Sequence, residues 1–133
     1  MQVVAAIIIY KNRILALQRR YSNKSYISLK YEFPGGKVKK DETFIQALKR
    51  ELKEEIEIEV NDPILYFETK FKYPDFDVLV KFYTCYAKEL EISLNVHRDY
   101  KLLTVNNLRE VEWLAADYEV IDFIEKYGFS KSP

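Results

Sequence analysis

Residues Thr43 to Ile56 constrain the fold of this 133-residue chain more than any other stretch. Thr43, with Gln46 three residues later, has the pattern of a capping box, which satisfies the free amides at a helix start. Ile45, Leu48, Leu52 and Ile56 then recur at helical spacing and define one apolar stripe. At roughly 100° per residue, Glu51, Glu54 and Glu55 share a face that lies beside this stripe and not opposite it. The spacing predicts a helix over Thr43–Ile56 that packs on an apolar layer with three carboxylates at its margin.

The apolar layer comes from strands. Val3 to Tyr10 is a β-branched run broken by Lys11-Asn12-Arg13, and Ile14 to Gln18 resumes it, which reads as an N-terminal hairpin. Ile64 to Lys72 and Phe76 to Ala87 read as two long strands joined around Tyr73-Pro74-Asp75. Ile56, Ile58 and Val60 alternate, so a further strand is expected directly after the helix. Arg19 to Lys30 has no period and reads as a loop, followed by a sharp turn at Glu32-Phe33-Pro34-Gly35-Gly36-Lys37. Asn106 or Asn107 is placed to cap a short helix through Val111. Asp117 is placed to cap a terminal helix through Tyr127, with Val120, Ile121 and Ile124 inward and Gly128 closing it. These elements add up to one domain over residues 1–133, an α/β sandwich around a mixed β-sheet.

Composition removes several functions. Twenty-one basic residues balance twenty-one acidic ones, so the chain lacks the basic footprint of a protein that binds nucleic acid polymers. Its single cysteine, Cys85, cannot form an internal disulfide, and with only His97 beside it cannot make an ordinary structural zinc site. Cys85 and Trp113 read as core residues. The run Val3–Ile9 is too short to span a membrane and lacks the marks of a signal peptide, so a cytoplasmic protein is expected.

Like charges at i,i+3 and i,i+4 destabilise a helix by roughly 0.2–0.5 kcal/mol per pair, and crowded carboxylates compete for protons. Many Glu/Lys-rich helices simply turn such a face to water. A divalent cation would also remove the repulsion, and hard carboxylate oxygens suit Mg²⁺, with Mn²⁺ as a substitute.

The wider spacing bears on that choice. Gly36 is followed after five residues by Glu42, and after seven more by Arg50-Glu51-Leu52-Lys53-Glu54-Glu55. This resembles the Nudix box, G-x5-E-x7-R-E-U-x-E-E-x-G-U with U aliphatic, and Glu32–Lys37 is similar to the EFPGGK turn of MutT-like members. The resemblance implies a Nudix-type α/β/α sandwich and metal-assisted cleavage of a diphosphate linkage. It implies that Glu51, Glu54, Glu55 and the Gly35 carbonyl hold the metal, and that Glu42 and Arg50 fix the loop to the helix. Arg20 (or its neighbour Arg19, both given to the second strand) and Lys37 would neutralise phosphate, with Phe33 also on the substrate side. Glu112–Asp117 looks like the end of MutT-like and CTP-pyrophosphohydrolase-like members, in which the residue matching Asp117 contacts the base.

The implied reaction converts a nucleoside triphosphate, with oxidised or modified types such as 8-oxo-dGTP or CTP among the candidates, to NMP and pyrophosphate. Relatives that act on ADP-ribose or dinucleoside polyphosphates, and a non-catalytic binding module, are the alternatives, in a monomer or a homodimer. Two positions depart from the pattern. Glu57 stands where the box has glycine. Val96 stands where relatives carry a glutamate before the position of His97; either Asp99 or Glu55 takes that role, or two metals and a water suffice without it.

Overall fold

The computed structural model describes residues 1–129. Helix α1 (Phe44–Ile56) begins with the reciprocal cap: the Gln46 amide donates to Thr43 Oγ1 at 3.0 Å, and the Thr43 amide donates to Gln46 Oε1 at 2.9 Å. Its buried residues are Ala47, Leu48, Leu52 and Ile56. Ile45, expected in the stripe, is 38% exposed. The packed face is turned from the apolar stripe toward the glutamates, by roughly 25° on a helical wheel. This rotation separates the three carboxylates: Glu51 and Glu55 are half-buried and Glu54 is exposed.

Among the described residues the strands form one seven-stranded mixed sheet. Its main path runs from β3 (Tyr31–Glu32) through β2 (Arg13–Gln18), β1 (Gln2–Tyr10) and β6 (Asp77–Tyr86) to β5 (Ile64–Lys72). Off this path, β4 (Gly35–Lys37) pairs with β1 and β7 (Asp99–Leu103) pairs with β2. β1 and β6 are parallel, with Ala5 opposite Phe82, while the other pairings are antiparallel. A strand this central is covered on both faces, which is why β1 reads as a continuous apolar run. Val4, Ala6 and Ile8 pack with Leu48 and Leu52 of α1, whereas Ala5, Ile7 and Ile9 share a core with Ile121 and Ile124 of helix α2 (Tyr118–Tyr127). The layers are therefore helix, sheet, helix. No helix among the described residues is long and apolar enough to cross a membrane.

Several expectations are corrected. No strand follows α1 directly: Ile58 and Val60 are buried but lie in irregular chain, and the next strand starts at Ile64. Arg19 and Arg20 fall beyond the end of β2. The short helix is a 3₁₀ helix over Val105–Glu110 whose cap position is Thr104, without a side-chain capping bond, so neither Asn106 nor Asn107 starts it. β7 was not expected at all. Its first three residues are exposed and only Leu103 is buried, so the short alternation of Tyr100 and Leu102 with Asp99 and Lys101 is weak, and pairing with β2 is what makes it a strand.

Glu57 makes the left-handed turn that the box reserves for glycine, at φ 58° and ψ 41°. Its amide donates to the Lys53 carbonyl at 3.1 Å, closing the helix. A side chain in this region is strained, so Glu57→Gly is expected to stabilise the protein by about 1 kcal/mol. Denaturant melts of the two proteins check this; an unchanged or lower midpoint in the glycine variant rules it out.

Candidate active site

The glycine turn is fixed by how closely it passes other groups. A Cβ on Gly35 would stand 2.0 Å from the Val4 carbonyl oxygen, and one on Gly36 would stand 2.4 Å from the Glu51 carboxyl carbon. Only glycines let β4 pair with β1 and lie against α1 at once. Arg50 ties the turn to the helix. It makes a two-pronged pair with Glu42 (Nε to Oε2 2.7 Å, Nη2 to Oε1 2.9 Å), and Nη2 also donates to the Lys37 carbonyl at 3.0 Å. The same guanidinium reaches Glu51 at 2.8 Å and Glu54 at 3.3 Å. These contacts hold the Glu42 carboxyl down at about 2.

A cavity of about 700 Å³ opens beside this turn. Arg20, Phe33, Gly35, Lys37, Glu55 and Asp117 all line it, so the fold gathers residues spread over nearly a hundred positions. Glu42, Arg50, Glu51 and Glu54 are not in its wall. Asp99 is exposed and also outside it, which leaves Glu55 as the one of the two candidates for the role missing at Val96 that faces the cavity. Phe33 contributes differently from a substrate-stacking ring: it is 3% exposed and stacked on Trp113 at 4.6 Å. Cys85 and Trp113 are both buried in the core.

The two arginines after β2 divide their tasks. Arg19 donates to both oxygens of Glu32, at 3.2 and 3.4 Å. Arg20 donates from Nε to the Val96 carbonyl at 2.8 Å, and among the described residues no carboxylate pairs with it. Its charge is thus the one left for an anion.

Glu55 lines the cavity, with the Gly35 amide 3.4 Å from its Oε1. Burial first, then the charges of Glu32 and Glu51, push its carboxyl up to about 9. Among the described residues no three acidic, histidine or cysteine side chains converge as a ready-made metal site. Glu51 and Glu55 are nevertheless close enough for their carboxyls to share a proton. A divalent cation suits that place, because it removes both the desolvation and the repulsion that a proton now relieves.

This has a measurable consequence for the cation-free protein. The folded state holds the Glu55 proton more tightly than the unfolded chain, whose carboxyl titrates near 4.5. The associated stability is complete below that pH and is lost as pH rises toward about 9. Melts in chelator from pH 5 to 9 should show the loss, and Mg²⁺ should reduce it by displacing the proton. A chelator-treated protein with level stability over that range would contradict it.

Asp117 lines the same cavity; it stands at the expected cap position of α2, but its side chain does not make the capping bond. It ends a 3₁₀ turn (Ala115–Asp117) in right-handed helical backbone and makes no side-chain capping bond. Instead it is buried, with the Phe33 amide beside it and Oδ2 without a partner. Burial and the Glu32 charge raise its pKa well above the usual carboxylate range.

Sequence reasoning passed over Glu32 and gave His97 little weight. His97 is 4% exposed, and its Nε2 lies 2.7 Å from Glu32 Oε2. The signal available was that Glu32 opens the EFPGGK turn and that His97 is the only histidine in the chain.

The helix-borne carboxylates, the glycine turn against them and the helix–sheet–helix layers define a class. A model of the NUDIX domain matches residues 1–123, and the chain belongs to that family as a hydrolase of diphosphate linkages. It is 31% identical over 134 residues to the 8-oxo-dGTP diphosphatase of Buchnera aphidicola subsp. Schizaphis graminum, covering 97% of this chain and 96% of that one. The 8-oxo-dGTP diphosphatase of Haemophilus influenzae is 44% identical over 73 residues, 55% of this chain and 53% of its own. The crystal structure of the MutT protein from Methanosarcina mazei Go1 superposes with a TM-score of 0.81 at 25% identity, covering 95% of this chain and 91% of that one.

Proposed function

We propose that this hydrolase is an Mg²⁺-dependent nucleoside triphosphate pyrophosphohydrolase acting on an oxidised deoxyguanosine triphosphate, releasing NMP and pyrophosphate. The observation that carries the reading is Asp117: a buried carboxyl with a free oxygen, in the same cavity as Glu55 and Lys37. A protonated carboxyl can donate to a ring nitrogen or carbonyl and accept from an amine, which is the vocabulary of a nucleobase edge. The names of the relatives point to the same substrate.

Glu51, Glu54, Glu55 and the Gly35 carbonyl would hold the cation, which when bound polarises the phosphate and activates a water. Arg20 and Lys37 neutralise phosphate charge, and Arg20 is held toward the cavity by the Val96 carbonyl. Arg50 and Glu42 keep the glycine turn seated on α1. A screen of dGTP, 8-oxo-dGTP, CTP, ADP-ribose and a dinucleoside polyphosphate with Mg²⁺, reading pyrophosphate and phosphate separately, tests the assignment. The highest kcat/KM is expected on 8-oxo-dGTP with pyrophosphate as product. Turnover confined to ADP-ribose or the dinucleoside substrate would defeat it.

A further inference from the structure

We propose that the free edge of β5 pairs with the same edge of a second copy of this chain, antiparallel and centred on Thr69, to form a symmetric dimer. The inference stands apart from the cavity and from the nucleotide reading, and neither depends on the other.

β5 ends the main path of the sheet, with β6 as its strand partner. In such a strand the alternate N–H and C=O groups point away from the sheet. Among the described residues no turn, loop or cap backbone bond reaches Ile64–Lys72. Proteins commonly guard an open edge with a bulge or with lysines. The bulge of β5 falls at Tyr66, where the register with β6 jumps from Leu65 to Phe67. Beyond it, Phe67–Lys72 pairs with β6 without a break, so this stretch of edge is a regular template.

The lysine guard is present but mixed in sign. Glu68, Lys70 and Lys72 are all exposed and share one face, while Phe67 and Phe71 pack toward the α2 core on the other. Glu68 is half exposed, and its ionic contact within the chain is a long one, 3.7 Å from Lys81.

Symmetry decides which of these charges would meet. In an antiparallel pair, directly opposed residues point to the same face, so a two-fold axis passes through a residue and not between two. Centred on Glu68, the seam sets that carboxylate against its own copy. Centred on Lys70 or Lys72, it sets a lysine against its own copy, and centred on Phe71 it sets Lys70 against the partner's Lys72. Centred on Phe67, it runs at once into the bulge. Centred on Thr69, Glu68 faces the partner's Lys70 and Lys70 faces the partner's Glu68, with Phe67 opposite the partner's Phe71. Opposite charges directly across two strands stabilise the pairing and like charges weaken it. The Thr69 register alone turns the guard into a match. It also brings Ile64 and Leu65, 53% and 51% exposed, alongside the partner's Tyr73 turn, which covers apolar surface that one copy leaves in water.

A single strand seam is a small interface, so a reversible dimer is expected and not an obligate one. The test is sedimentation equilibrium of the full chain at low ionic strength, from ~5 to ~500 µM, the range in which a weak interface dissociates. Wild type should pass from monomer to dimer. Glu68→Lys and Lys70→Glu should each raise the dimer Kd by at least ~10-fold, because each puts two like-charged pairs across the seam. An equimolar mixture of the two variants opposes only unlike charges and should form a heterodimer about as readily as wild type forms its homodimer. Thermal melts check folding; if either variant fails, the double swap Glu68→Lys/Lys70→Glu replaces the mixture and should dimerise as wild type does. A wild type that stays monomeric throughout overturns the proposal. So does a dimer that both single reversals leave unchanged, which places the interface on another face, or a mixture that stays as monomeric as its parts. None of these outcomes touches the nucleotide reading.

Discussion

Glu54→Gln should lower kcat by at least ~10²-fold at saturating Mg²⁺ while leaving the protein at least as stable as wild type. The size is that of losing a group that positions a metal and its water. The stability half of the expectation comes from the structure. Glu54 is the exposed member of the three glutamates, with a 56% exposed side chain and one 3.3 Å contact to Arg50. Glutamine removes its repulsion toward Glu51 and Glu55 without disturbing the packed face of α1. The same change at Glu51 would be a poorer experiment, because that carboxylate also receives Arg50 at 2.8 Å and abuts Gly36. Wild-type turnover by a folded Glu54→Gln protein would remove Glu54 from the metal site.

Asp117→Asn should change which nucleotide is preferred. With Oδ2 buried and unpartnered in the free protein, a bound base is expected to supply the missing bond. Asparagine has nearly the same shape but offers a fixed NH₂ and a fixed carbonyl, where a carboxyl can place its proton on either oxygen. The ratio of kcat/KM between a preferred and a poor nucleotide should therefore move by ~1–3 kcal/mol, or roughly 5- to 150-fold. A folded asparagine variant whose ratio stays within twofold of wild type would show that Asp117 does not read the base.

Helix α1 was legible because its signals are local. A capping box joins residues three apart and an apolar repeat joins residues three or four apart, so both are complete within the segment. The strand pair Ile64–Lys72 and Asp77–Tyr86 was legible for the same reason, through its run of β-formers and its Pro-containing turn. The spacing from Gly36 through Glu42 to Arg50 and Glu55 also lies within twenty residues, and there the chain records the ion pairs that seat its own turn.

What the sequence determined by itself was thus the central helix, the long strands, and the carboxylates and glycines that travel with them. Tertiary structure alone decided which of those carboxylates face inward, because that depends on how α1 is rotated against β1. It decided that the side chain of Asp117, at the cap position of α2, is a buried cavity group and makes no capping bond. It also joined Glu32 to His97, 65 residues away. Such facts have no local periodicity, since a buried polar group is set by what packs over it, and those neighbours come from other elements of the chain.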